Sequence, residues 1–156
     1  MRAATYSLTL DEFRSYAKQG NLIPLFREIL ADHDTPVSAF AKIDHGPSAY
    51  LLESIQGGEK WAQYSFLGSG SPLVIYEDRG DLCVKRGSDI RRIPSRGAPL
   101  DRLREIMETY RPVTVPDLPR FVGGAVGYLG YDMVQTFEDL PSRRKEHLDI
   151  PDFAFL

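Results

Sequence analysis

The stretch RFVGGAVGYLGYDMVQTFED, residues 120–139, places four glycines inside an apolar run. These glycines are Gly123, Gly124, Gly127 and Gly130. Glycine costs backbone entropy and packs nothing in a strand, so four together indicate close backbone approach, bulges or bends. The spacing does not fit a phosphate-binding loop, because no Lys-Ser or Lys-Thr pair follows the glycines. We therefore predict a buried strand that packs tightly against another layer.

The composition is that of an ordinary globular domain. A chain of 156 residues can bury a sizeable core, and 42% apolar with 26% charged residues is typical of soluble proteins. The net charge of −3 gives no reason to expect nucleic acid or an anionic membrane as a partner. No apolar run approaches the ~18 residues of a membrane span, and the N-terminal residues lack a signal-peptide core. We therefore expect a cytoplasmic protein.

Helix signals occur at four places in the chain. Thr9 with Glu12 forms a capping-box pattern, and Thr35 followed by Pro36 gives an N-cap with proline at the first helical position. In residues 99–110, apolar residues three and four positions apart mark one face of a helix. The predicted helices cover residues 9–20, 36–43, 99–110 and 132–140.

Alternating apolar runs between turn residues predict strands. The turn at residues 78–81 joins two such runs into a hairpin, and a basic run after it predicts an exposed edge strand. Pro24 interrupts another apolar run, where we predict a strand that begins near Leu22. The hairpin strands cover residues 73–76 and 82–85, and the edge strand with its loop covers residues 88–96. Further strands are predicted at residues 48–54, 61–67 and 153–156. This order predicts an α+β fold with a mixed, mainly antiparallel sheet and flanking helices.

No arrangement of residues points to catalysis or to metal binding. The histidines His33, His45 and His147 stand alone in polar segments, and no HExxH or CxxC motif is present. The single cysteine, Cys83, excludes a disulfide within the chain, and its apolar context predicts a buried side chain in a reducing compartment. A basic cluster is interpreted as a solvated sheet edge. It comprises Lys85, Arg86, Arg91, Arg92 and Arg96.

The polar end of one predicted strand is the best candidate for a binding site. Glu53 and Ser54 end an apolar strand at a turn, and Lys60 follows a few residues later. The carboxylate could take the α-amino group of a zwitterion, and the hydroxyl or the lysine could take its carboxylate. A hydrogen-bonded turn with a surface ion pair of little energetic value also explains these residues. Both interpretations stay open on the residues alone.

Four blocks of sequence carry a family resemblance that covers essentially the whole chain. The blocks are LLES at 51–54, GEKWAQYSFLG at 58–68, IPLFREILADHDTPVSAF at 23–40 and FVGGAVGYLGYDMVQTFEDLP at 121–141. In their order and spacing along the chain, these blocks resemble the N-terminal region of anthranilate synthase component I, a chorismate-utilising enzyme. The segment EKWAQYSFLG is more similar to the anthranilate branch than to the sister enzyme, aminodeoxychorismate synthase component I.

The resemblance implies an activity and an inhibitor. Members of the family convert chorismate and ammonia to anthranilate and pyruvate, a lyase reaction that requires Mg²⁺ and begins tryptophan biosynthesis. A glutamine amidotransferase subunit supplies the ammonia, and L-tryptophan inhibits the enzyme by feedback. The family's tryptophan site carries over to Leu52, Glu53 and Ser54. It carries over only loosely to Lys60, because the turn before this lysine varies in length.

The resemblance also implies that residues 1–156 are the N-terminal, regulatory region of a longer enzyme. The family's chorismate-binding domain, with its Mg²⁺ carboxylates and catalytic histidine, lies beyond residue 156, so we expect this chain alone to be inactive and to need no cofactor. In the whole enzyme, strands of both halves form a shared two-sheet core into which the apolar segment at 151–156 would continue. The alternatives are the same region of aminodeoxychorismate synthase, a non-catalytic module that binds an amino acid, or a purely structural piece.

Overall fold

The computed structural model describes residues 6–53, 64–95, 98–116, 118–119, 121–140 and 150–156. The chain divides into two compact units, Met1–Ala31 with Leu100–Gly124 and Asp32–Pro99 with Ala125–Leu156. The described elements are α1 (Leu10–Tyr16), α2 (Pro36–Ile43), β1 (Tyr50–Glu53), β2 (Ser65–Gly68), β3 (Leu73–Asp78), β4 (Asp81–Arg86), β5 (Asp89–Pro94), α3 (Pro99–Glu108), β6 (Gly127–Leu129), a 3₁₀ helix (Tyr131–Thr136) and β7 (Phe153–Phe155). Helices combined with antiparallel sheets confirm the predicted α+β class.

In the second unit, the described strands form a five-stranded and a two-stranded sheet. The order in the larger sheet is β5-β4-β3-β7-β6, and each neighbouring pair is antiparallel. The β3–β4 pair runs from Leu73 opposite Arg86 to Asp78 opposite Asp81. The strand predicted at residues 153–156 is confirmed as β7, and it lies between β3 and β6 although it is the last described strand in the sequence.

The predicted hairpin turn between β3 and β4 is confirmed. Arg79 and Gly80 have φ angles of 55° and 84°. Two successive positive φ angles are typical of a type I′ turn, whose twist matches that of the flanking strands. The Gly80 amide donates to the carboxylate of Glu77, and the buried Ser95 hydroxyl donates to the Gly80 carbonyl oxygen. Both contacts hold the turn in place.

The exposed edge predicted from the basic run is β5. The side chains of residues 89–92 are exposed along this strand. Arg92 nevertheless forms an ion pair with Asp78 and lies 4.0 Å from the Asp81 carboxylate. The hydrogen bond from Arg92 to Asp78 raises the pKa of the guanidinium above its ordinary value. Part of the basic cluster is therefore neutralised within the sheet, whereas Arg96 lies outside the described residues.

The core of the second unit lies mainly on one face of the large sheet. Phe153 and Leu82 are 0% exposed and Ile75 is 3% exposed. Ile75 pairs with Phe155, and side chains alternate along a strand, so Phe153 shares the face of Ile75. Leu82 is opposite Glu77 and reaches the same face. The apolar end of the chain is therefore central to the packing of this unit.

The glycine-rich stretch does not form the long buried strand that we predicted. Gly123 and Gly124 have φ angles of 154° and 148°, whereas regular strands need a strongly negative φ. The strand therefore starts only at Gly127 and ends at Leu129. All three of its residues are exposed, so the prediction of burial was wrong.

The close backbone approach predicted for these glycines is confirmed at two positions. A Cβ atom on Gly127 would collide with the carbonyl oxygen of Ala154 and would lie 2.7 Å from the Phe155 Cα atom. One on Gly130 would lie 2.9 Å from the carbonyl oxygen of Asp152. Glycine is therefore required because the β7 backbone occupies the space that a side chain would fill.

The capping box of α1 is confirmed in the first unit. The Thr9 hydroxyl accepts the Glu12 amide, and the Glu12 carboxylate accepts the Thr9 amide at 2.8 Å. The helix ends at Tyr16, four residues before the predicted stop at Gly20. The Gly20 amide donates to the Tyr16 carbonyl oxygen at 3.2 Å, and a Cβ atom on Gly20 would lie 2.7 Å from the Val113 side chain, so this glycine also serves packing.

The strand predicted near Leu22 is wrong. Leu22 makes only an isolated parallel bridge with Pro112, and residues 23–30 have no regular structure. Asn21 provides the local link within this unit, because its side chain donates to the Thr109 carbonyl oxygen at 2.8 Å and accepts from the Arg111 amide at 2.6 Å. Pro24 lacks an amide hydrogen, which explains why the apolar run does not continue as a strand.

The last predicted helix, at residues 132–140, is a short 3₁₀ helix at Tyr131–Thr136. Met133 is 4% exposed and anchors this segment. The other two side chains of the predicted face gain no comparable packing, since Val134 is only half-buried and Phe137 is 71% exposed. Short helices need tertiary packing to persist, so the segment stops after Thr136.

The third predicted helix, at residues 99–110, is confirmed as α3, which covers Pro99–Glu108.

The predicted bounds of α2 are confirmed, and a capping box closes its N-terminus. The Thr35 hydroxyl accepts the Ser38 amide at 3.1 Å, and the Ser38 hydroxyl accepts the Thr35 amide at 2.9 Å. The Lys42 ammonium group lies 2.6 Å from the Asp34 carboxylate, and this hydrogen bond lowers the pKa of Asp34. The helix lies against β1 and β2, so its stability bears on that pair of strands.

We expect Thr35→Ala to lower the free energy of unfolding by about 1 kcal/mol, the typical cost of a lost helix cap. The substitution removes the acceptor of the Ser38 amide but leaves the rest of α2 unchanged. Urea denaturation followed by far-UV circular dichroism measures the loss. Thr35→Ser retains a hydroxyl and should remain at the wild-type value. Equal losses in the two variants would contradict a capping role.

Candidate functional site

The candidate site lies at the end of the β1–β2 hairpin. Leu52 pairs with Phe66, and Glu53 pairs with Ser65. Leu52 is 46% exposed, and Glu53 is the exposed last residue of β1. The resemblance assigned both residues to a binding site, and the structure places them next to one another on an accessible strand end.

Alternation along the two strands assigns these side chains to opposite faces. Residues directly opposite each other in an antiparallel pair share a face, whereas neighbours in sequence do not. Leu52 and Phe66 therefore share one face, and Glu53 and Ser65 share the other.

The other two predicted site residues, Ser54 and Lys60, lie outside the described residues. Their assignment therefore stays a prediction. Within the described part of the chain, the Glu53 carboxylate has no hydrogen bond or ion pair to any side chain. The alternative of a hydrogen-bonded turn with a surface ion pair involves Ser54 and Lys60 and therefore also stays open. An exposed carboxylate can accept hydrogen bonds from a ligand's ammonium group.

An aromatic pair beside this strand end was missed by the sequence analysis. The rings of Tyr64 and Phe66 are stacked, with centroids 6.1 Å apart and an interplanar angle of 26°. Tyr64 is 56% exposed. Period-two spacing of the two rings in YSF was available as a signal, because residues two apart on a strand share a face. What this face packs against could not be read from the spacing.

The near end of the hairpin is closed by packing. A Cβ atom on Gly68 would lie 2.5 Å from a ring carbon of Tyr50, its partner across the strands. The tyrosine ring therefore covers Gly68, and only glycine leaves room for it. On the α2 side, the His45 amide donates to the Ser69 hydroxyl at 3.2 Å. Leu52 and Glu53 lie at the opposite end of the strand pair, next to residues 54–63, which are outside the described residues.

The titratable groups inside the large sheet do not form a second candidate site. Cys83 is 0% exposed, which confirms the predicted buried thiol, and burial raises its pKa. Burial also raises the pKa of Tyr76, the residue opposite Cys83 on β3. A thiol that is buried and protonated is a poor nucleophile. These groups therefore pack the sheet and provide no reactive centre.

A magnesium site does not fit the described residues. Among them, no three histidine, cysteine, aspartate or glutamate side chains are placed to hold a metal ion. Hard cations such as Mg²⁺ need several converging oxygen ligands. The described helices also include none that is long and apolar enough to cross a membrane.

Curated proteins named anthranilate synthase component 1 are similar to this chain over most of its length. The protein from Pseudomonas aeruginosa is 44% identical over 131 residues, which cover 82% of this chain and 26% of the relative. The Synechocystis protein is 40% identical over 144 residues, with coverage of 91% and 28%. The protein from Acetivibrio thermocellus is 37% identical over 148 residues, with coverage of 95% and 30%. No protein-family model matches the chain.

The chain spans less than a third of the length of these curated relatives, at 26%, 28% and 30%. The matched segments include both the hairpin with the candidate site and most of the large sheet, because they cover 82% to 95% of the chain. This extent is consistent with an N-terminal region. At 37% to 44% identity over so much of its length, the chain belongs to the anthranilate synthase component 1 family.

Proposed function

We propose that residues 1–156 form the N-terminal, regulatory region of an anthranilate synthase component 1. The complete enzyme would be a lyase that converts chorismate and ammonia to anthranilate and pyruvate in tryptophan biosynthesis. Similarity to proteins of that name supports the proposal. The enzyme would act in the cytoplasm, where a reducing environment would keep the buried Cys83 as a free thiol.

The feedback inhibitor of this enzyme would be L-tryptophan, bound at the end of the β1–β2 hairpin. The observation that carries this assignment is the exposed Glu53 carboxylate, which has no described partner and stands beside the apolar Leu52. An ammonium group of the ligand would donate to Glu53 in a charge-assisted hydrogen bond. Ser54 and Lys60 would bind the ligand's carboxylate, as the family resemblance implies.

The chemical step would take place outside this chain. The chorismate-binding domain would supply the carboxylates for Mg²⁺, and a glutamine amidotransferase subunit, component 2, would supply ammonia. The relatives' name, component 1, supports the existence of such a second component. Residues 1–156 alone would therefore form no anthranilate.

We expect Glu53→Gln to weaken tryptophan inhibition by about tenfold to a hundredfold. Losing a hydrogen bond to a charged group costs about 1.5–3 kcal/mol, and each 1.4 kcal/mol corresponds to about a factor of ten. Inhibition is a coupling between two sites, so the uninhibited rate should stay close to wild type. A tryptophan titration of anthranilate fluorescence, with chorismate, Mg²⁺ and ammonium, measures this in the complete polypeptide that carries the chain.

Two further variants complete this experiment. Glu28→Gln removes another exposed carboxylate and should leave the inhibition unchanged. Ser54→Phe should weaken inhibition in the same direction as Glu53→Gln, because a bulky side chain would fill space beside the ligand. The regulatory assignment is wrong if Glu53→Gln leaves the titration unchanged, or if inhibition and basal rate fall together. Formation of aminodeoxychorismate in place of anthranilate would instead assign the chain to the sister enzyme.

A further inference from the structure

We propose that the open edge of β6 is the place where a strand from the rest of the longer polypeptide adds to the large sheet. This inference rests on the proposed function, in which residues 1–156 are one part of a longer enzyme, and it assigns a contact between the parts to one strand edge. β6 is the last strand in the order β5-β4-β3-β7-β6, so within the described residues only β7 pairs with it.

Two residues of β6 direct their backbone groups away from β7. The Gly130 amide donates to a carbonyl oxygen next to β7 at 2.7 Å, and Val126 exchanges both of its backbone hydrogen bonds with Leu156. Hydrogen-bonded and non-hydrogen-bonded pairs alternate along an antiparallel ladder. The amides and carbonyls of Gly127 and Leu129 therefore point to the open edge. A strand that added there would meet four backbone groups at the spacing of a regular ladder.

The apolar face of the large sheet continues to this edge and becomes exposed there. Leu129 is directly opposite Phe153, so the two side chains share a face. Phe153 is 0% exposed, whereas Leu129 is 54% exposed. A strand added beside β6 would extend the sheet and cover the Leu129 side chain next to the core.

The opposite edge of the same sheet has features that oppose strand addition, and β6 has none of them. β5 carries Arg91 and Arg92 and ends at Pro94, and charged residues and proline on an edge prevent pairing with another strand. β6 has the sequence Gly-Tyr-Leu, with no charge and no proline. This contrast indicates that β5 remains an edge and that β6 is an inner strand of the complete protein.

The length of β6 favours a strand of the same polypeptide over a separate molecule. β6 has only three residues, and a ladder this short does not recover the freedom that two separate molecules lose on association. A tethered strand meets the edge at a high effective concentration. The curated relatives contain enough chain to supply it, because this chain spans only 26% to 30% of their length. The added strand should carry apolar residues at alternate positions, on the face of Leu129.

Proline substitution in the complete polypeptide distinguishes an inner strand from an edge strand. Leu129→Pro removes an amide at the open edge of β6, and Ile90→Pro is the matched control on β5. Ile90 is 48% exposed, and its amide points away from β4 because Arg86 and Asp89 form the pair that closes the preceding turn. Proline is tolerated where the strand amide faces solvent but not inside a sheet. We expect Leu129→Pro to lower the thermal unfolding midpoint by roughly 2–4 °C, with Ile90→Pro close to the wild type.

Amide hydrogen exchange tests the same ladder without a substitution and decides the question if Leu129→Pro does not fold. In the complete polypeptide, the amides of Gly127 and Leu129 should exchange roughly a hundredfold more slowly than that of Ile90, because hydrogen-bonded amides exchange only when the structure opens. Photo-crosslinking from benzoylphenylalanine in place of Leu129 identifies the neighbour. The crosslink should join this position to a segment of the same polypeptide outside residues 1–156.

Exchange at Gly127 and Leu129 as fast as at Ile90, or equal midpoints in the two proline variants, would overturn the proposal. A crosslink to a second copy, or to a residue within 1–156, would contradict the assigned partner. If the complete polypeptide forms anthranilate and is inhibited by tryptophan while both amides exchange rapidly, the added strand is wrong and the proposed function stands. Slow exchange in a polypeptide that forms no anthranilate would support the added strand and refute the proposed function.

Discussion

Phe153→Ala is expected to lower the free energy of unfolding by about 3–5 kcal/mol, the range for phenylalanine truncations in a core. The side chain is 0% exposed and belongs to the inner strand β7, between β3 and β6. Its ring also lies 5.9 Å from that of Phe155. Truncation would leave a cavity at the point where the large sheet packs, and the surrounding strands can collapse into it only in part. A loss of this size is comparable to the whole stability of many small domains.

The matched control for this prediction is Phe137→Ala, because Phe137 is the same residue type in the same unit but is 71% exposed. A surface substitution of this kind usually changes stability by about 0.5 kcal/mol or less. Urea denaturation, followed by circular dichroism in the far and near ultraviolet, compares the two variants. Similar losses at the two positions would show that β7 does not carry the core.

Gly127→Ala is expected to cost about 1–3 kcal/mol or more, as overpacking of a tight site does. The added methyl group would collide with the Ala154 carbonyl oxygen and lie 2.8 Å from its carbonyl carbon. Both are backbone atoms of β7, so no side-chain rotation can relieve the contact. The β6–β7 pairing must shift or open, and the backbone hydrogen bonds between Val126 and Leu156 next to it should weaken as well.

Amide hydrogen exchange distinguishes this effect from a general loss of stability. Gly127→Ala should speed exchange most at Val126 and Leu156, whose amides bond to one another's carbonyl oxygens at 3.0 and 2.8 Å. Leu129→Ala is the control, since Leu129 belongs to the same strand but is 54% exposed. Exchange that is equally fast in both variants, or wild-type stability in Gly127→Ala, would refute the close approach of the two strands.

Local signals in the sequence predicted much of the fold. Thr35 and Pro36 marked the start of α2, and the Arg79–Gly80 turn marked the β3–β4 hairpin; both are confirmed. Each depends on hydrogen bonds or backbone angles within a few residues, which are nearly independent of the rest of the molecule. The prediction of a long strand in the glycine-rich stretch was wrong. The apolar pattern favoured a strand, but the positive φ angles of Gly123 and Gly124 interrupt it.

The candidate site was predictable only in part. The resemblance singled out Leu52 and Glu53, and the structure places them at an accessible strand end. The register of β1 against β2 brings Phe66, on which Tyr64 stacks, opposite Leu52. A shift of one residue would move every side chain of β2 to the other face. Register therefore decides which aromatic residues share a face with Leu52.

By itself, the sequence determined the caps, the turns, most of the helices and hairpins, and the family to which the chain belongs. Only the tertiary structure decided that β7 pairs between β3 and β6, so that Phe153 becomes fully buried and Gly127 must remain glycine. The physical reason is the separation along the sequence of the residues that interact. Caps and turns are set by neighbouring residues, whereas pairing between distant strands depends on which edges and apolar faces can be buried together.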